Sequence, residues 1–295
     1  MTDARRIVES LGGRWSGRGG VCFCPAHQNT RTPALSVTEA DDGRLLLHCH
    51  AGCAFADILA ALRFRGLEGG DFRPPEPAQI ERRRREDELA RMSKAAKAKS
   101  IWEAAQPIAG TLAETYLRHR DIRIALPDTL RFHPRLWHRN SETYQPGMVA
   151  RVDGGDGFAI HRTFLHPSGR GKTSSDPAKM MLGEVLGGGV RVATGEGPLV
   201  VAEGIETALS IAELLPDHGP VWATLSTSGM RMFRLPPWGG RLVLAIDADE
   251  AGISAGNALG ERARDAGWTI TVAKPDRDGD DWNAVLSRAR NRKSA

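Results

Sequence analysis

Leu199-Val-Val-Ala-Glu203-Gly204 and Arg241-Leu-Val-Leu-Ala-Ile-Asp247-Ala-Asp249 decide how this chain folds. Each is a nearly unbroken apolar run of strand length that stops on a carboxylate. Apolar residues at successive positions belong to a strand buried on both faces. Helical spacing over 206–215 and 253–266, with further strand-like runs over 221–225 and 268–273, sets up a regular alternation. Such alternation predicts an α/β domain, a parallel sheet with flanking helices, whose function lies outside the carboxyl ends of the strands.

The carboxylates sit at those ends. Asp247 and Asp249 are alternate residues of an extended segment, so both can face one hard cation, and magnesium prefers such oxygen ligands together with substrate phosphates. A third acidic group follows the last strand in Pro275-Asp-Arg-Asp-Gly-Asp280-Asp281, where Asp280 and Asp281 are the two alternatives. A single Asp-x-Asp is often only a turn or a helix cap. Three acidic strand ends in one α/β frame make a site, with Glu203, Asp247 and Asp249 as its catalytic candidates.

Working outward to the other end, all four cysteines fall in the first fifth of the chain. Cys24-Pro-Ala-His27 and Cys49-His-Ala-Gly-Cys53 form two tight pairs, and local thiols with histidines read first as a metal site. Cys24, His27, Cys49 and Cys53 are the expected zinc ligands, with Cys22, His48 and His50 as competitors. Four protein ligands leave no open position, so such a zinc is structural. Strands over 34–37 and 44–48 around Asp41-Asp42-Gly43, and helices over 4–11 and 54–64, complete a module spanning 1–66.

Residues 67–100 read as a linker and a charged helix. The linker is Gly69-Gly-Asp-Phe-Arg-Pro-Pro-Glu-Pro77, and the helix, over 81–99, carries Arg82-Arg83-Arg84-Arg85. That run suits either a solvated face or phosphate contact. Residues 101–195 mix a helix over 113–119 with strands over 147–152 and 158–165 about an Asp153-Gly-Gly-Asp-Gly157 turn, an α+β subdomain ahead of the α/β domain at 196–295. A net charge of +4 permits a polyanionic partner without requiring one. No apolar run reaches the ~18 residues of a membrane span and no secretory pattern opens the chain, so a cytoplasmic location is expected.

Several of these strings resemble a known family. The zinc pairs, with Thr32-Pro33-Ala-Leu-Ser-Val37 between them, resemble the CHC2-type zinc ribbon of bacterial and phage DNA primases, although three residues rather than two separate Cys49 from Cys53. The order of acids over 199–286 resembles the Toprim domain of primases, topoisomerases and some nucleases. Pro107-Ile-Ala-Gly-Thr-Leu-Ala-Glu-Thr-Tyr-Leu117, Leu130-Arg-Phe-His-Pro134, Ile160-His-Arg-Thr163 and Ala178-Lys-Met-Met-Leu-Gly183 are similar to the segment ahead of Toprim in primase-like proteins of phages, plasmids and mobile elements.

The resemblance implies RNA primer synthesis on single-stranded DNA from ribonucleoside triphosphates. Magnesium, or manganese in its place, would sit on Asp247, Asp249 and Asp281, with Glu203 as acid/base group and zinc purely structural. Arg131, His161, Arg162, Lys172 and Lys179 are the cations expected for template or triphosphate, Lys172 and Lys179 foremost. Primases often carry an acid four positions after the glutamate. Here Thr207 stands there and Glu206 one step earlier, which leaves the role of Glu206 open. No Gly-x-x-x-x-Gly-Lys loop is present, so a helicase partner would be separately encoded. A Toprim nuclease and a non-catalytic DNA-binding accessory are the rival readings. The only tyrosines, Tyr116 and Tyr144, precede the Toprim segment, which disfavours a topoisomerase.

Overall fold

Short glycine-bearing strands and a small set of apolar side chains build the N-terminal part of the protein, seen here in a computed structural model that describes residues 3–17, 19–27, 32–40, 44–67, 77–237, 239–277 and 279–293. Helix α1 (Asp3–Ser10) precedes β1 (Arg14–Ser16), β2 (Gly19–Cys22), β3 (Leu35–Glu39) and β4 (Leu45–Cys49), an antiparallel sheet in sequence order, and α2 (Phe55–Phe64) follows. Ile7 and Val8 of α1 pack on Leu35, Val37, Ile58 and Leu62, the module's core. β1 and β2 lie outside the expected strands. A Cβ on Gly20 would stand 2.6 Å from the Arg14 carbonyl oxygen, so the close strand pairing itself demands a residue that carries no strand signal. The expected Asp41-Asp42-Gly43 turn and linker residues 69–76 lie outside the described residues.

The fold divides into two units, 1–81 and 82–295. Helix α3 (Pro77–Ala104) is longer than the expected 81–99 and starts on Pro77, where a helix tolerates proline because the first N–H has no intrahelical partner.

In the second unit, β5 (Gln106–Pro107), α4 (Leu112–His119), β6 (Leu130–His138), β7 (Thr143–Val152), β8 (Ala159–Phe164) and β9 (Lys179–Leu182) give an antiparallel central sheet in sequence order. β7 and β8 form the expected hairpin. β6 accommodates Pro134 at a register shift between His133 and Leu136, where a proline costs no ladder hydrogen bond. One face of this sheet buries Leu136, Val149, Ile160 and Phe164 with Ala98 and Trp102 of α3.

The last sheet contains β10 (Val190–Ala193), β11 (Leu199–Ala202), β12 (Val221–Ala223), β13 (Gly240–Ala245) and β14 (Trp268–Ala273) in the order β10-β12-β11-β13-β14. The last four are parallel, and β10 is an antiparallel edge drawn from ahead of residue 196. The helices are α5 (Ile205–Leu214), α6 (Thr227–Met232), α7 (Glu250–Asp265) and α8 (Trp282–Lys293). Tyr116, Leu117, Met148 and Ala150 share a core with Val200, Ala202, Ile205 and Leu209, so the central and C-terminal sheets belong to one unit. From β11 the chain runs to β12 on one side and then to β13 on the other. The crevice between β11 and β13 is therefore the point where strand order reverses, the usual ligand position in such sheets. Among the described residues no helix is long and apolar enough to cross a membrane.

Candidate active site and metal centre

Ala202 pairs with Ala245, so Glu203 and Asp247 leave the sheet at the same end of adjacent strands. Burial pushes the Asp247 carboxyl up to about 6, and the charges of Asp281, Glu203 and Asp249 push the same way. Its Oδ1 is buried without a hydrogen-bond partner. Burial also raises Glu203, with Asp249 adding to the effect and Lys179 opposing it. Asp249 caps α7, accepting the Gly252 N–H at 2.7 Å. Asp281 accepts the Ala284 N–H at 2.7 Å, and Arg120 Nη2 lies 3.5 Å from its other oxygen. Asp280 faces Arg288, which holds its carboxyl low. Of the two alternatives, Asp281 is the one whose charge reaches Asp247.

Backbone packing fixes this group. The Trp282 indole N–H donates to the Ile246 carbonyl at 3.1 Å, and the Ala248 N–H to the Asp280 carbonyl at 3.3 Å, which ties the last loop to the β13 end. A Cβ on Gly256 would lie 2.6 Å from Ile246 Cγ2, so α7 seats directly on the residue before Asp247. The orphaned Asp247 oxygen and the acids whose charges reach it have the donor chemistry of a hard divalent ion, whereas among the described residues only the Cys/His cluster already draws its ligand atoms together. Asp247, Asp249 and Asp281 could hold such an ion.

On the basic side, Glu206 is 6% exposed in the first turn of α5. It accepts the Tyr116 hydroxyl at 2.6 Å, and Lys172 Nζ lies 3.1 Å and Lys179 Nζ 3.7 Å from its oxygens. Burial acts to raise the Glu206 carboxyl, but the two lysines and the tyrosine outweigh it and hold it far below the usual range. Burial lowers Lys172. The structure thus brings Lys172 and Lys179 together around an acid whose role the sequence left open.

Arg131 and Arg162 are placed differently. Lys179 pairs with Thr163 while Arg162 pairs with Met180 and Arg131 with Val149, which turns the arginines to the opposite sheet face. Arg131 donates to the Trp102 carbonyl at 3.1 Å and stacks on its ring, and Arg162 is buried beside Phe164. His161 is buried, and desolvation lowers it to about 4, so it adds no cation near neutral pH. Arg120, unmarked in the sequence, pairs with Asp281.

In the first unit, the ligand atoms of Cys24, His27, Cys49 and Cys53 all lie within 4.8 Å of one another. His27 Nδ1 is 3.1 Å from Cys53 Sγ and 3.8 Å from Cys49 Sγ. Three sulfurs and one imidazole at this spacing suit a tetrahedral zinc. The competitors are engaged elsewhere. Cys22 is fully buried, its thiol donating to the Leu35 carbonyl at 3.6 Å and pushed by burial up to about 12. His50 pairs with Ser36 at 2.7 Å and stacks edge-on against His48.

Residues 92–192 match the model of a domain of unknown function, DUF7146, and residues 198–291 match that of the Toprim domain. The chain is similar to a DNA primase domain from Pseudomonas aeruginosa at 16% identity, over 68% of this chain and 78% of that one, with a TM-score of 0.41. It is also similar to the zinc-binding and RNA polymerase domains of the Aquifex aeolicus primase at 13% identity, over 99% and 82% of the two chains, with a TM-score of 0.40. No curated protein matches the sequence. Residues 198–291, whose strands lead into the acids, are thus a Toprim-domain segment, and a Cys/His cluster of zinc-ligand composition lies ahead of it in the chain.

Proposed function

We propose that this protein synthesises short RNA primers on single-stranded DNA. The observation that carries the reading is the half-buried Asp247 beside Glu203 at the switch point, its carboxyl raised first by desolvation and then by three neighbouring acids, with Lys179 acting on Glu203. A magnesium ion held by Asp247, Asp249 and Asp281 would supply charge stabilisation at the triphosphate. Glu203, raised by its surroundings, is suited to take the proton of an attacking 3′-hydroxyl. Lys172 and Lys179 provide phosphate contacts. The zinc module contacts the template, in a cytoplasmic setting with a separately encoded helicase, as befits a mobile-element primase. The buried Tyr116 hydroxyl is committed to Glu206, which speaks against its use as a strand-cleaving nucleophile.

The test is to incubate the purified chain with ribonucleoside triphosphates, magnesium and single-stranded DNA. Short template-dependent RNA is the expected product. DNA cut without RNA synthesis would move the reading to a Toprim nuclease, and binding with neither activity to an accessory protein.

A further inference from the structure

Glu206 is among the few charged side chains buried among the described residues, and its three partners come from three different segments. Tyr116 on α4 fixes one oxygen, Lys172 in the loop before β9 approaches the same oxygen, and Lys179 on β9 approaches the other. Two ammonium groups this close repel, and each keeps part of its surface in solvent. One carboxylate between them holds both in place and leaves a net single positive charge.

Two observations say where that charge points. Lys179, held at Glu206, also has its charge felt at Glu203, one acid of the crevice. Lys172 lines a cavity of about 410 Å³ together with Tyr116, Arg120, Arg170 and Asn283, and Arg120 reaches Asp281. Space and cations coincide there, and Arg120 links the cavity wall to Asp281.

We propose that Glu206, seated by Tyr116, is the positioning residue that holds Lys172 and Lys179 as the grip for the polyphosphate chain of a ribonucleoside triphosphate entering through this cavity. The inference rests on the nucleotidyl-transfer reading and deepens it. Glu206 does not touch the reacting atoms; it acts through the lysines. A merely structural ion pair would tie α5 to the β9 loop without altering how phosphate affinity depends on pH. A positioning carboxylate does alter it. The groups facing Lys172 are Glu206, Lys179, Arg120, Tyr116 and His161, with His119 and Arg170 on the wall of the same cavity and Arg162 one residue beyond on β8. Burial lowers Lys172, Lys179 and Arg120 act in the same direction, and Glu206 opposes them. Without that carboxylate Lys172 sheds its proton at lower pH, and phosphate binding fails earlier as pH rises.

The experiment is equilibrium binding of magnesium ATP to the full chain across the pH range, for wild type and Glu206→Gln, with melting recorded alongside. The expected result is affinity about tenfold weaker in the variant, the scale of a weakened charge-assisted grip, and an alkaline limb displaced to lower pH. Unchanged affinity and limb in a folded variant overturn this inference and leave the primase reading standing. A wild type that binds no magnesium ATP overturns both. Should Glu206→Gln not fold, Tyr116→Phe decides in its place, with about threefold weaker binding expected from removal of one hydrogen bond and unchanged binding overturning the proposal.

Discussion

Asp247 is held where its own charge is least favourable, and the consequence can be read from stability alone. Unfolded, an aspartate titrates near ~3.9, whereas folded Asp247 titrates at about 6. Between those values the folded state keeps a proton that the unfolded state has released. Stability without metal therefore falls as pH rises from about 4 to about 6, and stays lowered above that. Asp247→Asn removes the penalty. Discounted for its partial exposure, the metal-free variant should be about 1–2 kcal/mol more stable than wild type at pH 8. Adding magnesium should raise the melting temperature of wild type and leave that of the variant nearly unchanged. Thermal melting at pH 4.5 and pH 8, with and without magnesium, checks both expectations. A variant no more stable than wild type at pH 8 would remove the electrostatic account of this crevice.

At the scale of the element, the strands that carry the acids were legible because a parallel strand buried on both faces writes itself as an apolar run. β14 matches its expected span of 268–273, and β11 and β13 stop one and two residues short of Glu203 and Asp247. β1, β2 and β10 were not legible, because Arg14, the Gly19-Gly20 pair and Arg191 break up runs of only three or four residues that have no continuous apolar signal. Pro134 concealed β6, and the polar surface of α8 concealed that helix. Glu206 could not have been assigned from sequence, since its tyrosine partner lies 90 positions away and no local pattern announces a buried acid. The arginine run of α3 gives the element-scale prediction. Arg82 is 79% exposed in an i,i+4 pair with Glu86, worth roughly 0.3–0.5 kcal/mol, so replacing Arg82, Arg84 and Arg85 by Gln should barely change melting. If the helix neutralises phosphates of single-stranded DNA, the slope of log affinity against log salt should drop by ~0.7 for each phosphate that the variant leaves unneutralised. An unchanged slope would make the run a solvated face.

For the whole molecule, the division into units 1–81 and 82–295 separates two ways of being stable. Among the described residues the second unit holds three of the four apolar cores, including the one shared by its two sheets, and both proposed sets of nucleotide-binding groups. The first has one small core that already counts Cys24 and Cys49 among its buried members, so metal binding there is also folding energy. A strong zinc chelator, or Cys24→Ser, should therefore release about one zinc per chain and unfold the first unit while hydrogen exchange in residues 82–295 stays slow. Uniform loss of protection would contradict that separation. The central claim is that the carboxylates at the β11 and β13 ends run magnesium-dependent nucleotidyl transfer. Labelled ribonucleotide incorporation on single-stranded DNA, compared among wild type, Glu203→Gln, Asp247→Asn and Asp249→Asn at matched zinc content and melting behaviour, tests it most directly. The account predicts RNA from wild type and a decrease of about a hundredfold or more in each variant, as for removal of a metal ligand or acid/base group. Incorporation that survives both aspartate substitutions would contradict it.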